Sequence, residues 1–182
     1  MSSPKIGFIC GSLRTGSINQ TLQQALMARV EKAGASCVEL DLGSYDLPLF
    51  HGDLETPAAV KTLIADMTAC DGIVMTTPEY NGSLPPLLKN AIDWTSTVDK
   101  TQFTHPVFGI ASCSPGPMSG IMCMRQLNYI LMRLGAEVVP TQVGTGNASK
   151  AFDAGGHLTA EPSASFADKM IAQVLTRISQ KS

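Results

Sequence analysis

Short apolar runs alternate along this chain with longer amphipathic segments. The runs are rich in β-branched residues, and each is short enough to form one buried strand. They lie at Lys5–Cys10, Cys37–Leu42, Gly72–Thr77, Pro106–Ser112 and Ala136–Val143. Between and after these runs, apolar residues recur at helical spacing. The helical segments lie at Ile18–Ala33, Pro57–Cys70, Pro85–Thr95, Gly120–Leu134 and Pro162–Ile178. The pattern therefore predicts five strands that alternate with five helices.

The boundaries of these segments carry residues that start and stop helices. Gly34 and Gly135 follow the first and fourth helical segments, and Pro57, Pro85 and Pro162 lie near helix starts. Regular alternation of strands and helices is typical of a parallel sheet with helices on both faces, because parallel strands need a crossover. We therefore predict one α/β domain over residues 1–182, with a doubly wound sheet in three layers.

Composition and charge exclude several classes of protein. The chain has 182 residues, of which 44% are hydrophobic, and its apolar runs are much shorter than the ~20 residues that cross a membrane. The formal net charge is −2 without a basic run, so neither nucleic acid nor a membrane is expected as a partner. The opening residues MSSPKIGFICGS lack the pattern of a signal peptide, so we expect a cytoplasmic protein. These features favour activity on a small molecule.

The loop after the first predicted strand reads GSLRTGSIN and runs directly into a helix. Glycines, hydroxyls and the positive end of a helix together bind anions, and the candidate ligands are Ser12, Arg14, Ser17 and Asn19. The loop matches neither G-x-G-x-x-G nor G-x-x-x-x-G-K-[ST], so a monophosphate fits better than a dinucleotide or a nucleoside triphosphate. If only the serine-rich turn is considered, an ordinary helix cap beside a solvated arginine explains the sequence about as well as an anion site does. The position after the first strand favours the anion site, because doubly wound sheets bind ligands at the carboxyl ends of their strands.

The loop after the third predicted strand reads PEYNGSLPPLLKNAIDW. Backbone amides around Glu79, Tyr80, Asn81 and Gly82 are suited to border a planar heterocycle, and Tyr80 offers a flat ring surface. Asn81 and Gly82 also form a common turn dipeptide, so the segment alone is equally compatible with a purely structural turn.

Together, GSLRTGSIN and PEYNGSLPPLLKNAIDW resemble the NADPH-dependent FMN reductase family of flavodoxin-like proteins. The resemblance extends from the first strand to QLNYILMRLGAEVVP, which includes the start of the fifth strand. It implies the sheet order 2-1-3-4-5, bound FMN, and NADPH or NADH as hydride donor. It also implies two sets of FMN-binding residues: Ser12, Arg14, Ser17 and Asn19 around the phosphate, and Pro78, Glu79, Tyr80, Asn81 and Gly82 beside the ring and the ribityl chain.

The third loop, SCSPGPMSG, departs from the family pattern. Family members usually have a glycine-rich run after a serine, and here Ser112 and Gly116 match that run as further candidate FMN contacts. Pro115 and Pro117 stiffen the loop and remove N–H donors, which affects the flavin edge and the access of the nicotinamide. Cys113 lies in this loop without a nearby histidine in the sequence, so we do not expect it to act as a nucleophile.

The resemblance implies an enzyme that passes hydride from NADPH through FMN to a quinone, a similar small acceptor or free flavin by a ping-pong mechanism. No catalytic side chain is predicted, because the flavin carries the chemistry, and scattered cysteines and histidines predict no metal site. A flavodoxin-type electron carrier and a non-catalytic flavin-binding regulatory module are the alternatives. Family members also form homodimers or homotetramers. Four residues fit either such an interface or the chain's own core: Leu87, Leu88, Ile92 and Trp94.

Overall fold

The computed structural model describes residues 3–181, which form a six-stranded parallel sheet with helices on both faces. The strands are β1 (Lys5–Cys10), β2 (Ser36–Glu39), β3 (Gly72–Thr76), β4 (Val107–Cys113), β5 (Glu137–Val138) and β6 (Val143–Thr145). The helices are α1 (Ile18–Lys32), α2 (Ala58–Thr68), α3 (Pro86–Val98), α4 (Thr101–Thr104), α5 (Ile121–Arg133) and α6 (Ser163–Lys181), with a 3₁₀ turn at Ala148–Lys150. The sheet order is β2-β1-β3-β4-β5, and β6 also pairs with β4. The predicted doubly wound fold and its strand order are confirmed.

The central strands β3 and β4 are buried because helices cover both faces of the sheet. Every residue of β3 and β4 is buried. Successive side chains along a strand point to opposite faces, so Phe8 belongs to the core under α1 and α6, and Ile9 to the core under α2, α3 and α5. Val74 and Ile73 divide between the two cores in the same way. Burial of each such side chain contributes about 1.5–3 kcal/mol, so the two cores fix the sheet that carries the site.

The prediction of one continuous fifth strand is wrong. The segment forms two short strands, β5 and β6, and both pair with β4 in parallel. Val139 still donates its N–H to Phe108 O at 2.9 Å, but Pro140 has no N–H to continue the ladder. Thr141 N instead donates to Gln173 Oε1 of α6 at 3.1 Å. The chain therefore leaves the sheet at the proline and rejoins it at Val143.

The short helix α4 has no signal in the hydrophobic pattern, because four residues do not complete a periodic repeat. Its start is set by Asp99, whose Oδ1 accepts from Lys100 N at 2.6 Å and from Thr101 N at 3.2 Å. These main-chain hydrogen bonds lower the pKa of Asp99. Gln102 then donates to Thr95 O and Asp99 O, so α4 is tied to the end of α3.

The apolar residues of α3 fill the chain's own core. Leu88, Ile92 and Trp94 are almost completely buried, while Leu87 is partly buried. Trp94 Nε1 donates to Pro48 O at 2.6 Å, which holds the segment after β2 against α3. Of the two interpretations of these residues, the structure supports the core.

The longest helix, α6, has 19 residues and buries only one face. Its buried residues are Ser163, Ala164, Ala167, Met170, Ile171, Val174 and Ile178. Within residues 3–181, none of the helices combines the length and the apolar composition that crossing a membrane requires.

Candidate functional site

Three loops meet at the carboxyl ends of β1, β3 and β4. Loop 1 is residues 11–17, loop 2 is residues 77–85 and loop 3 is residues 114–120. Gly11 N donates to Thr76 O at 2.8 Å, and a Cβ on Gly11 would lie only 3.0 Å from Pro85 Cγ. Loops 1 and 2 are therefore in contact, at the point where the strand order reverses and where doubly wound sheets bind ligands.

Loop 1 presents main-chain N–H groups without an acceptor anywhere in residues 3–181. They belong to Thr15, Gly16 and Ile18. Gly16 has a φ of +70°, which glycine adopts without strain. Ser17 is the N-cap of α1, and its Oγ accepts from Asn19 N at 3.3 Å. The loop thus leaves several donors unpaired at the positive end of a 15-residue helix.

Two further loop 1 residues predicted for the site lie beside these donors. Arg14 N donates to Ser12 Oγ at 3.4 Å, and Ser17 N donates to Arg14 O at 3.0 Å. Ser12 and Ser17 are nearly buried, whereas Arg14 is exposed. In the described part of the chain its guanidinium has no hydrogen bond and no ion pair. The structure therefore brings together hydroxyls, free N–H groups and one unpaired cation.

Asn19 joins loop 1 to the end of β4. Its Nδ2 donates to Cys113 O at 3.0 Å, and its Oδ1 accepts from Cys113 N at 2.9 Å. Both residues are buried. The side-chain amide of Asn19 thus pairs with the main chain at the carboxyl end of β4 and fixes the start of α1 against that strand. Asn19 supports the loop cluster through this contact, which the local sequence does not reveal because the partners are 94 residues apart.

Replacement of Asn19 tests this support. Asn19→Ala leaves a buried N–H and a buried carbonyl of Cys113 without partners, so we expect a loss of about 2–3 kcal/mol in the free energy of unfolding. Urea denaturation followed by circular dichroism measures it. Thr21→Ala is the control, because the Thr21 hydroxyl only donates to Ser17 O on its own helix, and its loss should stay below about 1 kcal/mol. Equal losses for the two variants would contradict the role of Asn19.

Loop 2 contains a tight turn of four residues. Tyr80 and Ser83 exchange two main-chain hydrogen bonds of 3.0 Å, and Asn81 and Gly82 have φ values of +52° and +74°. Positive φ at both central residues defines a type I′ turn, for which Asn-Gly is the preferred dipeptide. The turn occupies the Tyr80 N–H, whereas the N–H groups of Glu79, Asn81 and Gly82 have no acceptor within residues 3–181. Both the turn and the free amides that the sequence suggested are therefore present together.

Glu79 reaches the N-terminus of α5. One carboxylate oxygen, Oε2, accepts from Met122 N at 2.9 Å and from Cys123 N at 3.1 Å. The Tyr80 ring is exposed beside it, and Pro78 is partly buried. The family resemblance predicts Glu79 only as an FMN-binding residue beside the ring and the ribityl chain. Its contact with α5 was missed because the partners are 43 and 44 residues away.

Loop 3 is hydrogen-bonded to the end of β6 and to the residues that follow it. Ser114 N donates to Thr145 O at 2.9 Å, and Gly116 O accepts from Ser114 Oγ at 2.9 Å and from Asn147 N at 3.0 Å. Gly116 itself is exposed. The side chain of Ser112 is fully buried, and Cys123 Sγ lies 3.6 Å from its Oγ. Of the two loop 3 residues predicted for the site, Gly116 is therefore at the surface, whereas Ser112 is buried beneath the loop.

The cysteines near the loops are protonated thiols. Burial raises the pKa of Cys113 to about 12. Burial also raises the pKa of Cys123, and the negative charge of Glu79 adds to the effect, although the hydrogen bond with Ser112 opposes it. Because the thiolate is the nucleophilic form, neither cysteine is activated at neutral pH.

The histidines lie outside the three loops. His157 pairs with the exposed carboxylate of Asp153, with Nδ1 3.0 Å from Oδ2, and His51 lies 3.7 Å from Asp53. A search of residues 3–181 finds no group of histidine, cysteine and acidic side chains that would hold a metal ion.

One large groove lies away from these loops. It measures about 880 Å³ and lies between α1 and α6, beside Arg29, Ile171 and Leu175. Each of the three side-chain nitrogens of Arg29 there already donates one hydrogen bond, to Asp168, Ala25 O and Leu158 O respectively. The loop cluster holds the unpaired main-chain amides, so we place the candidate site at the loops.

The sequence of this chain is similar to those of known reductases. The model of a protein family described as NADPH-dependent FMN reductase matches residues 4–150. A quinone reductase of Escherichia coli is 36% identical over 138 residues, which cover 72% of this chain and 71% of that protein. An NAD(P)H-dependent FMN reductase of Pseudomonas aeruginosa is 33% identical over 158 residues, or 85% of this chain and 84% of that protein.

A solved structure extends the likeness to nearly the full length. The flavoenzyme FerB, an NAD(P)H:(acceptor) oxidoreductase from Paracoccus denitrificans, superposes with a TM-score of 0.80 at 26% identity. The match covers 97% of this chain and 98% of that one. With the family model matching most of the sequence, this chain belongs to the NADPH-dependent FMN reductase family of flavin-dependent oxidoreductases.

Proposed function

We propose that this protein uses bound FMN to pass hydride from NADPH or NADH to quinones or similar small acceptors. The observation that carries the proposal is the set of unpaired N–H groups of Thr15, Gly16 and Ile18 at the start of α1. Their arrangement suits the terminal phosphate of FMN, because a phosphate is a compact anion with several acceptor oxygens. Membership of the family supplies the flavin and the nicotinamide as the cofactors to test.

The residues of loop 1 fit a phosphate in chemistry as well as in position. Ser17 Oγ already accepts from Asn19 N, so its hydroxyl proton is left to donate. Ser12 Oγ accepts from Arg14 N and is likewise left with its proton. Arg14 adds an exposed, unpaired guanidinium, which can bind a phosphate through two N–H groups. We assign the phosphate to these residues, with Asn19 holding the loop in place.

Loop 2 suits the polar edge of the flavin ring. Its free N–H groups, at Glu79, Asn81 and Gly82, are donors that match the carbonyl and nitrogen acceptors of a flavin. The exposed ring of Tyr80 lies on the same turn. Pro78, near the start of loop 2, is partly buried, and Gly116 of loop 3 is exposed. These residues of loops 2 and 3, together with Ser112 beneath loop 3, form the remaining part of the proposed FMN site.

The chain's own contribution to the reaction is binding, orientation and electrostatics. Bound FMN would supply the hydride chemistry by accepting hydride from the nicotinamide and passing it on to the acceptor. Amide donors of loop 2 are fixed by the type I′ turn, so they stabilise developing negative charge without having to reorient. The protonated thiols of Cys113 and Cys123 take no part as nucleophiles. No side chain needs to act as a general acid or base under this proposal.

The exposed loops favour a ping-pong order. Tyr80 and Met118 are exposed on loops 2 and 3, so the site is open to solvent and accepts flat molecules from one side. If both substrates use that side, the oxidised nicotinamide must leave before the acceptor binds. Quinones are the acceptor class that we propose, because they are flat two-electron acceptors and relatives of this chain include quinone reductases.

One experiment separates this function from its alternatives. The purified protein is loaded with FMN, and NADPH is added without oxygen while the visible spectrum is recorded. Bleaching of the flavin by NADPH, followed by return of the oxidised spectrum when benzoquinone is added, supports the reductase. Parallel lines in double-reciprocal plots support the ping-pong order. Bound flavin that stays oxidised indicates a carrier or a non-catalytic module. Failure to bind FMN overturns the proposal at its first step.

We also propose that the protein assembles into a homodimer or homotetramer. Leu88, Ile92 and Trp94 are not available for this contact because they are buried within the chain. Exposed large apolar side chains instead lie on α5, at Met122, Tyr129 and Met132. Multi-angle light scattering is expected to give two or four times the 19.2 kDa mass of one chain. A mass of one chain at micromolar concentration would contradict the assembly.

A further inference from the structure

The first turn of α5 has no capping side chain of its own. Its N-cap is Gly120, which has a φ of +70°, and a Cβ there would collide with Ser112 Oγ. Serine, threonine or aspartate, the usual N-cap residues, are therefore excluded at this position. Ile121 N donates to Met118 O at 3.1 Å, but the N–H groups of the next two residues need an acceptor from elsewhere.

Glu79 of loop 2 is that acceptor. Its Oε2 receives both N–H groups, from Met122 at 2.9 Å and from Cys123 at 3.1 Å. A carboxylate at a helix N-terminus is favoured by the charge on the acceptor and by the helix dipole. The other oxygen, Oε1, makes no hydrogen bond within residues 3–181. The carboxylate thus connects the start of loop 2 to α5.

A second contact lies one turn further along α5. Ser83 Oγ donates to Gln126 Oε1 at 2.7 Å, and Gln126 Nε2 donates to Gly82 O at 3.3 Å. Both ends of the type I′ turn are therefore fastened to consecutive turns of one helix. The directions of the free N–H groups of Asn81 and Gly82 follow from these two attachments, because the turn between them has little freedom.

We propose that Glu79 is a positioning residue, whose carboxylate fixes loop 2 against α5 and thereby aims the free amides of the loop at the flavin ring. This inference rests on the proposed function. It differs from a direct contact between the Glu79 side chain and the cofactor, because the carboxylate oxygen that acts is the one bonded to Met122 N and Cys123 N. Loss of the carboxylate would release the start of the turn while leaving the phosphate residues of loop 1 unchanged.

Three variants test the proposal: Glu79→Ala, Glu79→Gln and Leu131→Val. Glutamine keeps an oxygen that accepts the two N–H groups, so it should restore most of what alanine loses. Leu131→Val weakens α5 through its fully buried face and leaves loop 2 untouched, which makes it the control for general loss of stability. Thermal melting identifies whether the alanine and valine variants lose comparable stability.

Two measurements decide the outcome. Hydrogen exchange of the flavin-free proteins should show faster exchange for residues 79–83 and 121–124 in Glu79→Ala only. Titration with FMN should give a dissociation constant raised about tenfold or more in Glu79→Ala, and raised less than about threefold in Glu79→Gln and Leu131→Val. Equal FMN affinity for Glu79→Ala and Leu131→Val, or unchanged exchange in the two segments, would overturn the positioning role. If the unaltered protein bound no FMN, the proposed function would fail first, and the role of Glu79 in aiming the loop at a flavin would fail with it.

Discussion

Gly120→Ala is expected to be the most destabilising single methyl addition in the site, with a loss of about 3–5 kcal/mol in the free energy of unfolding. Two independent effects contribute to this loss of stability. Gly120 has a φ of +70°, which costs an alanine about 1–2 kcal/mol. The new Cβ would also overlap with Ser112 Oγ and lie 2.8 Å from Ser112 Cβ, in a region where Ser112 is fully buried and cannot move aside.

A matched glycine separates the two effects. Gly34 has a φ of +87° after α1, and a Cβ there would meet nothing within 4 Å. Gly34→Ala therefore carries only the conformational cost, about 1–2 kcal/mol. Urea denaturation of both variants measures the difference. Similar losses at the two positions would indicate that the contact with Ser112 adds nothing.

A double-mutant cycle with Ser112 locates the contact itself. Ser112→Ala removes the hydroxyl that the new methyl group would overlap but keeps the β-carbon. We expect the double variant Gly120→Ala with Ser112→Ala to be more stable than the sum of the single losses predicts, by about 1 kcal/mol or more. Strict additivity would place the cause of the loss elsewhere in loop 3.

The sequence predicts most of the fold because its signals are local. The apolar run of β1 has sharp polar boundaries, and its predicted range Lys5–Cys10 is identical to the observed strand. The glycines after α1 and α5 also end those helices, with φ values of +87° and +88° at Gly34 and Gly135. The apolar pattern from Ala136 to Val143 predicts one continuous fifth strand, but Pro140 lies within it, and its missing N–H interrupts the ladder.

Some features of the candidate site likewise follow from neighbouring residues, whereas others depend on residues far apart in the sequence. The free amides of loop 1 and the turn at Asn81 and Gly82 follow from residues adjacent in the sequence. The contact of Asn19 with Cys113 and that of Glu79 with α5 join segments brought together only by folding. Such pairs leave no periodic or motif signal in one sequence. The sequence therefore suggests candidate ligand-binding residues in the loops, but it does not reveal the distant contacts that hold those loops in place.

Ser17→Asp is expected to weaken FMN binding strongly while leaving the fold intact. Aspartate is as good an N-cap as serine, and its negative charge is favourable at a helix N-terminus, so the stability of α1 should be retained. The same charge would repel the phosphate at the position where Ser17 now offers a hydroxyl. The lost hydrogen bond and the added repulsion together should raise the dissociation constant of FMN by about 100-fold or more.

Riboflavin and a second charge variant make this expectation specific. Riboflavin has the same ring without the phosphate, so its affinity for Ser17→Asp should change by less than about threefold. Gln24→Glu places the same charge on the exposed face of α1, about two turns further along, and should leave FMN affinity nearly unchanged. Fluorescence titrations with both flavins measure the affinities. Equal weakening of FMN and riboflavin would mean that Ser17 acts on the shape of the loop, whereas selective loss of FMN would place the phosphate at the start of α1. If Ser17→Asp bound FMN normally, the phosphate could not lie beside Ser17, and the assignment of loop 1 would have to be abandoned.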